Sequence, residues 1–183
     1  EAWLLGETIS ASIGQGYNLV TPLQNARMIS TLANGGLLLR PYIVKRIENS
    51  EGKVIQEFFP KIIKNIQIDP MVLNRLKEAL RGVVNESRGT GHRARLKNIV
   101  VSGKTGTAQV VSMKSSEEVQ PEEEVPYSFR DHAWFVAFAP YDKPEVAVSI
   151  IIEHGGHGGA VAAPIAGKIL ETYFTYYPPV RAG

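Results

Sequence analysis

Ser102-Gly103-Lys104-Thr105-Gly106-Thr107-Ala108-Gln109 sets a lysine and two threonines between the β-branched runs Ile99-Val100-Val101 and Val110-Val111. β-Branched residues favour a pleated backbone, so the pattern predicts a strand over 99–111. Gly103 and Gly106 weaken such a strand, and glycine inside a strand commonly marks the close approach of a ligand or a second backbone. Side chains alternate along a strand, so Lys104 and Thr105 face opposite sides while Thr105 and Thr107 share one. Paired hydroxyls with an unhindered main-chain N–H between them suit a carboxylate or a developing oxyanion.

K-T-G, here Lys104-Thr105-Gly106, is shared by penicillin-binding proteins and serine β-lactamases, and the longer K-T-G-T-A-Q form is more specific. Three further stretches fall in the order that family shows: Gly14-Gln15-Gly16 leading to Thr21-Pro22-Leu23-Gln24, then His132-Ala133-Trp134-Phe135-Val136-Ala137-Phe138-Ala139-Pro140, then Gly155-Gly156-His157-Gly158-Gly159-Ala160-Val161-Ala162-Ala163-Pro164. Together they resemble the C-terminal half of a class B penicillin-binding protein transpeptidase domain, most like the penicillin-binding protein 2 group of the cell-elongation machinery. The resemblance runs through nearly all 183 residues. It implies an α+β fold with an antiparallel sheet flanked by helices, part of the penicillin-binding protein/serine β-lactamase-like transpeptidase fold. Residues 1–183 would then be the C-terminal part of one domain, supplying three strands of a five-stranded sheet. The strand over 146–153 would lack its neighbour, and an open strand edge is a template for aggregation.

The resemblance also implies roles. Lys104 would be catalytic, hydrogen-bonding the serine of an S-x-N motif and raising the local positive potential. Thr105 and Thr107 would bind the terminal carboxylate of a D-Ala-D-Ala stem peptide or the matching carboxylate of a β-lactam. The main-chain N–H of Thr107 would form half of an oxyanion hole, and Gly106 would be glycine because a side chain would crowd substrate or the next strand. As the edge strand of the sheet, 99–111 could receive substrate as an added strand. The expected function is peptidoglycan cross-linking by serine acyl transfer, with no cofactor. The setting would be the bacterial inner membrane, facing the periplasm, beside a membrane-embedded lipid-II glycosyltransferase. A D,D-carboxypeptidase or β-lactamase-like hydrolase, a β-lactam-sensing domain and a non-catalytic scaffold share these motifs and stay open as alternatives.

The family's nucleophile lies in an S-x-x-K motif, with S-x-N after it, and both precede K-T-G. No S-x-N occurs in this sequence, and its one S-x-x-K is Ser50-Glu51-Gly52-Lys53. Asn49-Ser50-Glu51-Gly52 is turn chemistry between the apolar runs 37–47 and 54–59, so Ser50 is expected at a hairpin tip in water. A serine nucleophile needs a base held against it and a lysine pKa lowered by burial, which an exposed turn does not provide. The chain is therefore expected to be a piece of a longer enzyme and inactive by itself. It begins at Glu1 and has no apolar run of about 18 residues able to span a bilayer.

A 44% hydrophobic and 21% charged composition suits an ordinary globular domain, and a net charge of +2 argues against nucleic acid or another polyanion as partner. Without cysteine there are neither disulfides nor thiolate metal sites. Glu153, His154 and His157 look like metal ligands on paper, but flexible glycines separate them and no H-E-x-x-H helix is present, so packing is the expected role. Gly167-Lys168 lacks the rest of a P-loop, and Gly14-Gln15-Gly16 lacks the third glycine of a dinucleotide fingerprint.

Elsewhere the punctuation is clear. Thr21-Pro22-Leu23-Gln24 reads as a capping box, and Gly35-Gly36 as the stop of that helix after Asn34. A peripheral hairpin is expected over 37–60. Asp69-Pro70 opens a helix with Leu73, Leu76, Leu80, Val83 and Val84 at helical spacing. Strands over 132–139 and 146–153 flank Pro140-Tyr141-Asp142-Lys143-Pro144 as an antiparallel hairpin. Trp134, Phe135 and Phe138 are expected in the sheet core, and a closing helix over 160–177 covers one face. Arg88, His92, Arg93, Arg95 and Lys97 form a basic loop before the key strand. Residues 112–129, with five glutamates in 112–126 and almost no apolar periodicity, are expected to form a flexible insertion beside the substrate groove.

Overall fold

The computed structural model describes residues 3–110 and 125–179, with four helices, two short antiparallel ribbons and one three-stranded antiparallel sheet among them. Helix α1, Leu5–Ser12, ends where Gly14 takes φ +79°, a left-handed conformation that glycine adopts without penalty. There the N–H of Gln15 donates to the Ser10 carbonyl at 2.9 Å and that of Gly14 to the Ala11 carbonyl at 3.0 Å, the double closure of a Schellman turn. Helix α2, Pro22–Ala33, starts at the expected capping box: Gln24 N–H donates to Thr21 Oγ1 at 3.2 Å and Thr21 N–H to Gln24 Oε1 at 2.7 Å. Gly35 and Gly36, both at positive φ, end the helix. A Cβ on Gly36 would lie 2.3 Å from the Ile66 carbonyl oxygen, so the chain can turn there only as glycine.

The hairpin expected over 37–60 is longer and has two tiers. Strand β1, Leu37–Leu39, pairs with β4, Ile62–Asn65, and β2, Arg46–Glu48, pairs with β3, Val54–Glu57. Pro41 offers no N–H and has a fixed φ, which breaks the apolar run over 37–47 into two strands. The tip is where it was expected. Asn49 Oδ1 accepts the N–H groups of Glu51 and Lys53 at 3.0 and 2.9 Å, and Ser50 is exposed.

Helix α3, Pro70–Asn85, is capped by Asp69, whose carboxylate accepts from Met71 N–H at 2.7 Å. Of its apolar positions, Val84 is fully buried, Leu73, Leu80 and Val83 are half-buried, and Leu76 is exposed. Near Leu80, Tyr141 donates its hydroxyl proton to Glu78, and Arg81 donates to the same carboxylate at 2.9 Å. These bonds hold the Glu78 carboxyl below its ordinary range, the Tyr141 hydroxyl being the larger cause, and hold the Tyr141 phenol above its own.

The main sheet runs β5-β6-β7, with β5 Ser102–Ala108, β6 His132–Ala139 and β7 Val146–Ile152 all antiparallel. Its register sets Thr105 opposite Phe135 and Thr107 opposite Ala133. Helix α4, Ala162–Tyr176, lies on one face. Ala162, Ala163, Ala166 and Leu170 pack there with Ala133, Phe135, Ala137 and Val101, all fully buried. The small alanines let helix and sheet approach closely. Burying Phe135 and Leu170 contributes about 1.5–3 kcal/mol each. Ile29 and Ala33 of α2 pack on the opposite face against Val136 and Phe138. Phe135 and Phe138 are thus core residues as expected, on opposite faces, while Trp134 is half-buried.

Candidate active site

Strand β5 is an edge strand of the main sheet. Residues two apart present their main-chain groups to the same side of a strand. Gln15 Nε2 donates to the Thr107 carbonyl at 2.8 Å, so Thr105 and Thr107 present theirs to the edge away from β6. The Lys104 side chain is exposed, and its Nζ donates to the Thr105 carbonyl at 2.6 Å. Thr105 Oγ1 lies 3.0 Å from Thr90 Oγ1, in the turn after α3. Thr105 and Thr107 therefore share the open edge of β5, while the main-chain groups of Lys104 and Gly106 face β6. The Thr105 hydroxyl is engaged by Thr90 rather than standing as half of a free pair with Thr107.

Both strand glycines are sites of close approach. A Cβ on Gly103 would lie 2.6 Å from the Val136 carbonyl oxygen, and one on Gly106 would lie 3.2 Å from Trp134 Cβ. For Gly106 the crowding is with the next strand. The glycine-rich turn after β7 presses on the same place: a Cβ on Gly158 would sit 2.1 Å from the Trp134 carbonyl oxygen and 2.4 Å from that of Gly106. A Cβ on Gly159 would lie 2.3 Å from the Thr90 carbonyl oxygen. No side chain fits between this turn and β5.

The histidines of this region are held by packing and hydrogen bonds. His154, at φ +54°, donates its main-chain N–H to His132 Nδ1 at 2.9 Å, and its own Nδ1 lies 3.1 Å from the Arg130 carbonyl oxygen. The two rings meet edge-on, their centroids 4.7 Å apart. Among the described residues no group of three His, Cys, Asp or Glu side chains is placed to hold a metal ion. In the basic stretch, Arg93 donates to the Ala160 carbonyl at 3.0 Å, tying the 3₁₀ turn His92–Ala94 to the start of α4. The acidic insertion expected over 112–129 lies outside the described residues as far as 124. Its end forms a 3₁₀ turn, Tyr127–Phe129.

Residues 1–171 match the family profile described as the penicillin-binding protein transpeptidase domain. The chain belongs to that family. It is 38% identical over 180 residues to the peptidoglycan D,D-transpeptidase MrdA of Haemophilus influenzae, covering 97% of this chain and 27% of that protein. Among solved structures, penicillin-binding protein 2 of Pseudomonas aeruginosa in complex with WCK 5153 matches with a TM-score of 0.74 at 34% identity, over 95% of this chain and 35% of the other. Penicillin-binding protein A of Mycobacterium tuberculosis, as a ceftriaxone acyl-enzyme complex, matches with a TM-score of 0.71 at 31% identity, over 88% and 34%. The chain thus spans about a quarter of the length of the curated relative and a third of these structures. The α+β architecture expected from the motifs is that of these transpeptidase domains.

Two residues at this edge carry contacts that the motif reading did not assign. Thr90 lies in the turn Ser87-Arg88-Gly89-Thr90-Gly91, which reads from sequence as a loop and nothing more. Gln15 was visible as part of Gly14-Gln15-Gly16, but only its glycines invited interpretation. The available signal was a long amide side chain fixed between two turn glycines.

Proposed function

We propose that the full-length protein is a serine D,D-transpeptidase that cross-links peptidoglycan stem peptides and is acylated by β-lactams. The observation that carries the reading is the edge of β5. Lys104 is exposed there, and the main-chain groups of Thr105 and Thr107 face outward beside it. The family match and the relatives named as D,D-transpeptidases support it.

A serine upstream of this chain attacks the carbonyl carbon between the two terminal D-alanines. Its proton passes to the departing D-alanine amine; an acceptor amine then attacks the acyl-serine ester, the C–O bond to the serine breaks, and the amine's proton returns to the serine oxygen. Thr107 N–H donates to the oxyanion that forms in each step, where one such donor contributes about 2.7–4 kcal/mol. Thr105 and Thr107 hydroxyls receive the substrate carboxylate, and Lys104 adds positive potential and engages the S-x-N serine. The same proposal places the enzyme on the periplasmic side of the bacterial inner membrane, beside a lipid-II glycosyltransferase. Among the described residues no helix is long and apolar enough to cross a membrane.

The test is acylation of the full-length protein by a fluorescent penicillin. Lys104→Ala should slow acylation at least ~100-fold, the scale of lost electrostatic stabilisation, with little change in melting temperature. Acylation at the wild-type rate would remove this strand from the active site.

A further inference from the structure

We infer that Gln15 is a positioning residue for the acyl-transfer step, acting through the Thr107 main chain; this rests on the proposed role of Thr107 N–H in holding the oxyanion. An interior strand has its peptide planes fixed by ladders on both sides, whereas among the described residues β5 pairs with β6 on one side only. Gly103 and Gly106 leave its backbone softer still, since glycine restricts φ and ψ least. An oxyanion donor must nonetheless be held within about 10–20° of its productive direction. Something other than a strand has to steady the outer side of Thr107.

Gln15 is built to do that. Its main-chain N–H is committed to the Ser10 carbonyl at 2.9 Å, and its carbonyl accepts from Asn18 Nδ2 at 3.4 Å. Gly14 at φ +79° and Gly16 at φ +71° bend the chain sharply on either side. With its backbone fixed by the turn that closes α1, the side chain crosses to β5 and donates Nε2–H to the Thr107 carbonyl at 2.8 Å in a partly buried contact. The amide takes the place that a neighbouring strand's N–H would fill. Fixing the Thr107 carbonyl restrains rotation about the bonds to the Thr107 α-carbon, and with it the direction of that residue's N–H.

The experiment uses the full-length protein with Gln15→Ala and Gln15→Glu, the second isosteric but without an N–H donor at neutral pH. Stopped-flow acylation by a fluorescent penicillin separates the pre-acylation binding constant from the acylation rate constant, and thermal unfolding is recorded beside it. Both variants should lose about 5- to 10-fold in the acylation rate constant, the scale of one neutral hydrogen bond, with binding constant and melting temperature unchanged. A rate constant within twofold of wild type would overturn the proposal. So would a loss confined to the binding constant, or a melting temperature lowered by several degrees in both variants, which would make Gln15 a structural residue. Lys104→Ala run in parallel separates the two ideas. If it abolishes acylation while Gln15 variants react normally, only the positioning role fails; if it reacts normally, the site reading fails first.

Discussion

The Thr90 and Thr105 hydroxyl oxygens lie 3.0 Å apart, linking the turn after α3 to the strand that carries Lys104. The bond selects one rotamer for the Thr105 hydroxyl before any ligand arrives. Thr90→Val keeps the shape and removes the partner. In the full-length protein it should weaken pre-acylation binding of a penicillin by about 2- to 5-fold, the scale of one neutral hydrogen bond, with the acylation rate constant unchanged. Stopped-flow acylation reads both quantities.

Gly158 predicts a stability effect. An alanine there would set its methyl 2.1 Å from one main-chain oxygen and 2.4 Å from another, and neither belongs to a side chain that can swing away. Gly158→Ala should cost at least about 3 kcal/mol, at the upper end of overpacking penalties. Gly52→Ala, at φ +79° on the open hairpin tip with nothing within 4 Å, should cost only the left-handed strain of about 1–2 kcal/mol. Thermal unfolding of the two variants ranks them.

Ser50 gives a chemical prediction. It is exposed on the β2–β3 tip, while Lys53 donates its main-chain N–H to Asn49 as part of the turn. In the full-length protein Ser50→Ala should acylate at the wild-type rate. A polypeptide of these 183 residues alone should form no penicilloyl adduct detectable by intact mass.

The Glu78–Tyr141 contact predicts a pH dependence. The carboxyl sits below its ordinary value of 4.5 because Tyr141, and then Arg81, bond its charged form. A depressed folded-state pKa stabilises above the unfolded value and loses that contribution as pH falls through the folded one. Tyr141→Phe should therefore flatten the dependence of melting temperature on pH below about 4.5, with its deficit shrinking as the solution is acidified. The phenol shifts the other way, and its contribution fades only as pH rises through its raised value. Melting curves from pH 3 to pH 7 report the carboxyl side alone.

Much of this architecture was legible because local chemistry and tertiary packing agree. Thr21 and Gln24 are committed to a helix start by their own side chains, and the unbroken apolar run around Phe135 and Phe138 fits a strand buried on both faces. The ribbon extends past the expected 37–60 because Leu37–Leu39 takes its partner from 62–65, beyond the point where local turn signals close the run. At the candidate site, the identities and alternation of Lys104 to Thr107 were readable. The contacts of Gln15 and Thr90 were not, because no local rule says which distant carbonyl or hydroxyl a side chain will reach. The Thr105 hydroxyl was expected to await a ligand beside Thr107; its engagement by Thr90 depends on where the turn after α3 lands.

The bond from Gln15 to Thr107 joins residues 92 positions apart. Contacts of that span form late, because the chain loses loop entropy before the contact gives anything back, and this loss grows with the logarithm of the separation. The hairpin β6–β7 rests on much shorter spans and can assemble first, whereas α2, whose Ile29 and Ala33 reach Val136 and Phe138 across a still longer separation, joins no earlier than Gln15 does. A molecule caught between those stages would have a folded sheet with an unbraced outer border on β5. Competence for chemistry would then arrive as one of the final events of folding, together with the docking of α2 on the sheet.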